Sequence, residues 1–479
     1  MIKIYSCGPT VYSHPHIGNW RAYIFSDVLK KVMRYFSYEV IDVINITDVG
    51  HLVSDSDDGE DKMLKASKKE NLDPYQIARK YEREFIKGLE KLHIQKPNYL
   101  PRATEHIKEQ IEIIDELKQK DIAYLTDDGI YFDVSKFNDY GKLSGQKLEE
   151  KESGARVELD SQKRNPQDFA LWKFLTGDNK NHIMKWDSPW GVGFPGWHIE
   201  CSAMIKSILG KTIDIHGGGI DLIFPHHENE IAQGEGCNCE KYCNYWMHNE
   251  FINFNDEKMS KSLGNVITGR SFMDKYHPEV LKFLMLSAHY RSMLAMSDDK
   301  IHQAISGLRR IYETLNTVDF VLSDFEKSEN GKVNKSFAQL LTQQDAKIKK
   351  SLDDDFGTGE VIASFFEVIR AFNALNILKK KKDPNSWTTA NALKEWIAKY
   401  GSMMALFKEV PAKFLSDIDD IMLKEKNIDK SQVEALAKKR EEAREAKDWA
   451  AADSARDELH ALGIDFQDTP DGVKWNVKV

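Results

Sequence analysis

The sequence predicts an α/β fold built on a parallel sheet, split by an insertion and followed by α-helical domains. Three observations carry this. "IKIYSCGPTVY" and "YEVIDVINITDVG" are β-rich runs flanking the helical pattern "WRAYIFSDVLKKVMRYF", and strand–helix–strand order is the βαβ unit of a parallel sheet. Strand character then returns far downstream in "KTIDIHGGGIDLIF", so the sheet resumes after an inserted segment. From about Pro278 nearly every stretch carries helical periodicity.

Between these landmarks, "DPYQIARKYEREFIKGLEKL" and "ATEHIKEQIEIIDELKQK" read as amphipathic helices. A polar patch with short strands such as "GIYFDV" follows, up to about Pro189. Charged stretches near residues 326–335 and 424–430 read as linkers. There is no internal repeat and no low-complexity tract.

The chain has 479 residues and is 41% hydrophobic, enough for several cores. Its net charge of −9 creates no global positive field, so any RNA partner must be met by local patches. No run of ~18 apolar residues occurs, and no hydrophobic signal segment precedes His14 and His16; a soluble, cytoplasmic chain with no membrane partner is expected. The five cysteines cannot all pair, and in the cytoplasm they act as thiols or metal ligands. Cys237, Cys239 and Cys243 form a C-x-C-x3-C cluster, half of a second metal site with no fourth thiol beside it, and their role stays open.

Four motifs carry chemistry, each with a plain alternative. In "FPHHENEIAQG", helical spacing places His226 and Glu230 on one face, as a metal-binding pair or as a surface ion pair. "GPTVYSHPHIGNW" sets His16, Ile17, Gly18 and Asn19 at the start of the first helix, where unpaired N–H groups suit phosphate; a turn with a satisfied histidine is the other reading. In "KMSKSLGN", Lys258 and Lys261 can neutralise charge on a reacting phosphate, or form an exposed basic turn. Gly217, Gly218 and Gly219 permit close backbone approach to a flat ligand such as adenine, or serve as turn glycines. Two decoys fail: "LGKT" has Ile205 where a P-loop needs glycine, and "HGGG" lacks the G-x-S-x-G partner of an esterase.

A HIGH-like tetrapeptide, HGGG and KMSKS in that order is the layout of class I aminoacyl-tRNA synthetases. The intervening words, "YSCGPTVY", "KRNPQDFALWK", "PGWHIECSAM", "DIHGGGIDLIFPHHENEIAQ" and "YWMHNEFINFNDEKMSKSLGN", resemble the cysteinyl-tRNA synthetase family, and the likeness continues through "LDDDFGTGE" and "REAKDWAAADSARDEL". The resemblance implies a doubly wound, Rossmann-like (HUP) catalytic domain in two halves, 1–105 and 191–275, around a connective insertion at 106–190. A stem-contact region (276–325), a helical bundle (326–425) and an anticodon-binding module (426–479) would follow.

It also implies a zinc ion held by Cys7, Cys201, His226 and Glu230, which the thiol of the substrate joins as a thiolate. Gly8, Thr47, Trp197 and His216 fall on cysteine-pocket positions. Thr10, His16, Gly18, Asn19, Gly217, Gly218, Gly219, Lys258 and Lys261 fall on the ATP site, with His16, Asn19, Lys258 and Lys261 catalytic and Mg²⁺ escorting ATP. The implied reaction is that of a cysteine–tRNA ligase: L-cysteine and ATP give cysteinyl adenylate, and the cysteine passes to the 3′ end of tRNA(Cys), in a monomeric enzyme. An apolar pocket separates cysteine from serine by only ~10²-fold, which zinc–thiolate bonding would raise without an editing domain. The alternatives are a related ligase joining cysteine to an amino sugar, and a catalytically idle zinc or RNA-binding relative.

Three features depart from the family pattern: Asn19 in place of the last histidine of HIGH, Cys7 lying unusually close to the N-terminus, and the long acidic "TDVGHLVSDSDDGEDKM". In the tail, Trp449 and Asp453 are four apart and share a helical face, the equipment for stacking and reading an unpaired base; a solvated helix is the plain reading. The resemblance places Arg444, Trp449, Asp453 and Asp468 on positions that contact the anticodon.

Overall fold

The computed structural model describes residues 1–50, 62–146, 163–254, 257–258, 267–469 and 472–478. The chain divides into two compact units, one comprising Met1–Asn253, Lys258–Arg270 and Tyr290–Leu294, the other Phe254–Glu257, Ser271–His289 and Ala295–Val479.

The first unit is organised by β1 (Ile2–Ser6), α1 (Ile17–Tyr35) and β2 (Val40–Ile44), the βαβ unit seen in the sequence. Helices α2 (Lys62–Glu70), α3 (Pro74–Lys91) and α4 (Ile107–Gln119) follow. Then come β3 (Ala123–Leu125), β4 (Gly129–Phe132), β5 (Phe169–Phe174), β6 (Gly193–Pro195), α5 (Trp197–Ile208), β7 (Ile213–Gly219), α6 (Glu228–Asn238) and β8 (Cys243–Asn249). The main sheet has the order β2-β1-β7-β8 and every pairing is parallel. Tyr5 pairs with His216 and Ser6 with Gly217 in its register, so the chain leaving β1 emerges beside the HGGG strand.

Helix α1 starts sharply because His16 and Asn19 form a reciprocal cap. Its apolar face is buried by Ile17, Trp20, Ile24 and Val28. Trp20 stacks on Phe85 of α3 at 5.5 Å, and a Cβ at Gly88 would lie 2.4 Å from the Trp20 ring, so only glycine fits beneath it.

The insertion folds as an antiparallel sheet, β3-β4-β5-β6, whose last strand lies just past residue 190. Its core residues Ile113, Leu117, Phe132, Phe169 and Trp172 form one apolar cluster with Ile199 and Ala203 of α5 and Ala232 of α6. The insertion therefore forms the back of the two helices that carry most of the site.

Short strands β9 (Ile252–Phe254), β10 (Glu257–Lys258) and β11 (Leu294–Met296) accompany α7 (Gly269–Lys275) and α8 (Pro278–Leu286). The second unit continues with α9 (Asp298–Asp324), α10 (Lys335–Asp353), α11 (Thr358–Ala374), α12 (Asn385–Met404), α13 (Pro411–Glu425), α14 (Lys430–Glu445) and α15 (Trp449–Ala461). Among the described residues one helical stretch, Thr358–Lys379, is long and apolar enough to cross a bilayer. Its Val361, Phe365, Val368 and Phe372 are buried, as in a core helix of a folded domain.

The chain closes on an antiparallel hairpin, β12 (Ile464–Thr469) and β13 (Gly472–Val477), where the sequence reading gave only helix. Each strand spans only six residues, too short an alternation to stand out beside the helical run. Gly463, at φ 74°, ends that run by turning the chain into the hairpin. The Val477 N–H donates to Asp419 Oδ1 at 2.9 Å, and Arg309 Nη2 donates to the same oxygen at 2.7 Å, tying the hairpin to α13 and α9.

Candidate active site

Four side chains from widely separated segments meet beneath the HGGG strand. Cys7 follows β1, Cys201 lies on α5, His226 precedes α6 and Glu230 lies on its first turn. One donor atom from each lies within 4.8 Å of the others, and all four residues are buried. Cys201 sits one turn into α5. One sequence expectation is corrected here. "FPHHENEIAQG" is not one continuous helix: Phe224 is extended at φ −134°, ψ 132°, and α6 begins at Glu228. His226 and Glu230 still meet, at 3.0 Å between Nε2 and Oε1.

The electrostatics hold two of these groups, Cys201 and Glu230, toward their anionic forms. The hydrogen bond from Cys7 lowers the Cys201 thiol to about 6, while burial and Cys201 push Cys7 well up. Burial would raise Glu230, but His216 and His226 overcome it and hold the carboxylate far below its ordinary range. Burial would likewise lower His226, yet Glu230 and Cys201 raise it to about 10. Two anionic donors thus converge in a site shielded from water. Two sulfurs, an imidazole and a carboxylate suit zinc chemically.

Around this group lies a shell of histidines and aromatics. His198 Nδ1 is 2.9 Å from His226 Nδ1, and Trp197 stacks on His226 at 4.4 Å, fixing the imidazole so that Nε2 faces Glu230. His216 Nε2 is 2.9 Å from Glu230 Oε2, and its ring stacks on Trp246 at 4.6 Å. Burial and His216 hold His227 well below its ordinary value, and its Nδ1 lies 2.8 Å from His248 Nε2. Cys7, His216, His227 and Glu230 form a second group of potential ligands with the same spread, but one with a single sulfur.

Gly8 is fixed by sterics: a Cβ there would lie 1.6 Å from the Asn45 carbonyl oxygen, and its N–H donates to Asn45 Oδ1 at 2.7 Å. Asn45 Nδ2 in turn donates to Thr47 Oγ1 at 3.0 Å. Thr10 bridges Thr47 in parallel fashion, so Gly8, Thr10 and Thr47 line one seam between the chains leaving β1 and β2. Gly217, Gly218 and Gly219 are not turn residues but the end of β7. At Gly218 a Cβ would crowd His227 and Leu222 at 2.9 Å, so internal packing alone requires that glycine.

At the head of α1, Asn19 N–H donates to His16 Nδ1 at 3.2 Å and His16 N–H to Asn19 Oδ1 at 3.1 Å. Accepting at Nδ1 places the neutral imidazole's proton on Nε2, and Asn19 keeps its NH₂ as a donor. Gly18 lets this cap close, since its Cβ would lie 2.9 Å from His16 Nδ1. Asparagine at the end of HIGN therefore completes a cap that orients both residues. Lys258 ends β10, and Lys261 lies outside the described residues.

Residues 1–306 match the tRNA synthetases class I (C) catalytic domain, 347–408 the DALR domain, and 430–475 the cysteinyl-tRNA ligase anticodon binding domain. The chain is 41% identical over 476 residues to the cysteine–tRNA ligase of Bdellovibrio bacteriovorus, covering 99% of this chain and 95% of that one. It is 42% identical over 491 residues to the enzyme of the same name from Thermodesulfovibrio yellowstonii, covering 100% and 96%. The chain belongs to the cysteine–tRNA ligase family.

A Mycobacterium tuberculosis methionyl-tRNA synthetase in complex with methionyl-adenylate shares the fold, with a TM-score of 0.63 at 15% identity over 87% of this chain and 93% of that one. The catalytic region is thus a class I synthetase parallel-sheet domain, followed by helical domains.

Within this ligase fold, the anticodon residues expected from sequence lie in the C-terminal module. Arg444 is in the last turn of α14, Trp449 opens α15, and Asp468 is on β12 opposite Val473. Trp449 is 60% exposed, so its indole face is open to stacking. Asp453 accepts from Arg456 Nη1 at 2.7 Å. Helices α14 and α15 are locked together by Arg440, whose Nη1 donates to Ala452 O at 2.8 Å while its guanidinium covers Phe466.

Sequence reasoning missed His198, His227, His248 and Tyr242. All three histidines lie in quoted motifs, "PGWHIECSAM", "FPHHENEIAQG" and "YWMHNEF", so the signal was present, but nothing local says that they pack around one cluster. Nor did it foresee how the three other cysteines are engaged. Cys237 donates to Glu116 at 2.8 Å and accepts from Lys206 at 3.2 Å, Cys239 accepts from Lys120 at 3.4 Å, and Cys243 is buried.

Proposed function

We propose that this chain activates L-cysteine with ATP to cysteinyl adenylate and transfers the cysteine to the 3′ end of tRNA(Cys), acting as a cytoplasmic monomer with Mg²⁺ accompanying ATP. The observation that carries the reading is the buried convergence of Cys7, Cys201, His226 and Glu230 beside the seam of Gly8 and Thr47. These four residues would hold a zinc ion. When bound, zinc supplies affinity for a soft thiolate, which separates cysteine from serine.

The protein groups do the rest by placement. Trp197 and His216 flank the ligand residues through their stacking and bonding to His226 and Glu230, and bound the pocket for the amino acid. The start of α1 offers the positive helix end to phosphate. The His16 Nε2–H and the Asn19 amide add donors there, and Lys258 and Lys261 bring positive charge to the α-phosphate as the cysteine carboxylate attacks it and pyrophosphate leaves. The ribose hydroxyl of the tRNA 3′-adenosine then attacks the acyl carbonyl and expels AMP. Arg444, Trp449, Asp453 and Asp468 read the anticodon.

The amino-sugar alternative has no support, because both a DALR domain and an anticodon binding domain match this chain. Charging of purified tRNA(Cys) with labelled cysteine tests the reading, together with cysteine-dependent ATP–pyrophosphate exchange. Exchange without charging would overturn the tRNA half, and neither activity would overturn the whole.

A further inference from the structure

The two oxygens of Glu230 face different partners. Oε1 lies 3.0 Å from His226 Nε2 and 3.9 Å from Cys7 Sγ, on the side of the proposed ligands. Oε2 accepts from the Tyr242 hydroxyl at 2.7 Å and lies 2.9 Å from His216 Nε2. Tyr242 is only 2% exposed, so this hydroxyl makes its bond away from water, where a charge-assisted hydrogen bond is strong.

The rest of Tyr242 is held as firmly. Its N–H donates to Glu235 Oε1 at 3.2 Å, and its carbonyl accepts from Ile213 N–H at 3.0 Å, pinning the backbone between α6 and β7. Its ring lies over Gly234, where a Cβ would sit 2.2 Å from ring carbon Cδ2. Gly234 lies four residues after Glu230, on the same face of α6. The helix that presents the carboxylate thus carries a glycine whose absent side chain admits the ring that bonds it.

A buried carboxylate with both oxygens open can grip a cation through both. With Oε2 engaged by a hydroxyl and an imidazole, only Oε1 remains for a metal. We infer that Tyr242 is a positioning residue for the metal centre: with His216 it occupies Glu230 Oε2, so that Glu230 binds through Oε1 alone and a coordination position stays open for the substrate thiolate. This rests on the zinc reading above.

Tyr242→Phe removes the hydroxyl and keeps the ring over Gly234. Competition with a chelator should show zinc held ~10–100-fold more weakly, the usual effect of losing a group that orients a ligand. In the cobalt(II)-substituted protein, the ligand-field bands should shift, and the thiolate-to-cobalt absorption gained on adding L-cysteine should shrink. Wild-type zinc affinity together with unchanged cobalt spectra in a folded Tyr242→Phe protein overturns the proposal. X-ray absorption on the zinc-loaded wild type gives a check that needs no variant: one oxygen scatterer beside two sulfurs and one nitrogen supports it, and two carboxylate oxygens overturn it. A wild type that holds no zinc at all overturns the zinc reading itself, and this proposal with it.

Discussion

Glu230 and Glu279 are both buried carboxylates, one in each compact unit, and their surroundings drive them to opposite sides of the ordinary range. Glu230 has His216 and His226 against it, and they hold it ionised despite burial. Glu279, on α8, receives the Tyr312 hydroxyl at 2.7 Å and the Phe407 backbone N–H. Burial outweighs those donors, and its carboxyl is pushed up to about 7. The first arrangement keeps charge in the interior for a ligand to use; the second ties α8, α9 and the chain before α13 together around a group that folding prefers neutral. The anticodon module differs again. Trp449 stands 60% exposed; stacking an RNA base, the role proposed for it, needs a face that protein has not filled in advance.

The strongest way to break this contrast is to remove a donor from the charged cluster. Cys201→Ala or His226→Ala should take zinc from about one per chain to none, with cysteine activation falling below detection. Full zinc in both variants, by metal analysis, would sink the assignment. Lys261→Ala should leave zinc untouched yet slow pyrophosphate exchange ~10²–10³-fold, as loss of a transition-state charge partner does. Unchanged exchange would remove KMSKS from the chemistry.

Glu279 sharpens the comparison through pH. Its folded-state value is raised from 4.5 to about 7, so its stabilisation is full below the unfolded value and is lost as pH rises through the folded one. The wild type should therefore lose roughly 3 kcal/mol across that window from this group. Glu279→Gln should lack that slope in unfolding experiments between these limits; identical slopes would show that Glu279 ionises freely in place.

Asp453→Ala should weaken tRNA charging by ~1–3 kcal/mol per lost base contact while leaving tRNA-independent cysteine activation intact. Trp449→Ala should match it with an unchanged circular dichroism spectrum. Wild-type charging by both at physiological salt would make α15 structural only. The smallest effect is at the head of α1, where Asn19→Ala should cost ~1 kcal/mol of capping and slow exchange mildly. An unaltered melting temperature would show that the reciprocal cap contributes nothing.

The sequence by itself determined what is local. Alternating and helical periodicities marked β1, α1, β2, β7 and most later helices. The words around Cys7, Cys201, His226 and Glu230 pointed to one family and one donor set. Tertiary structure decided what depends on distance across the fold. Cys7 and Glu230 are 223 positions apart yet 3.9 Å from each other, through the parallel pairing of β1 with β7. The break before α6, the depth of Cys201 in α5, the closing hairpin and the Tyr242 hydroxyl on Glu230 were equally invisible in the string. Periodicity reports which face of an element is apolar, because burial of that face repeats with the backbone. A buried polar contact repeats with nothing, and is fixed only when separate segments are packed against each other.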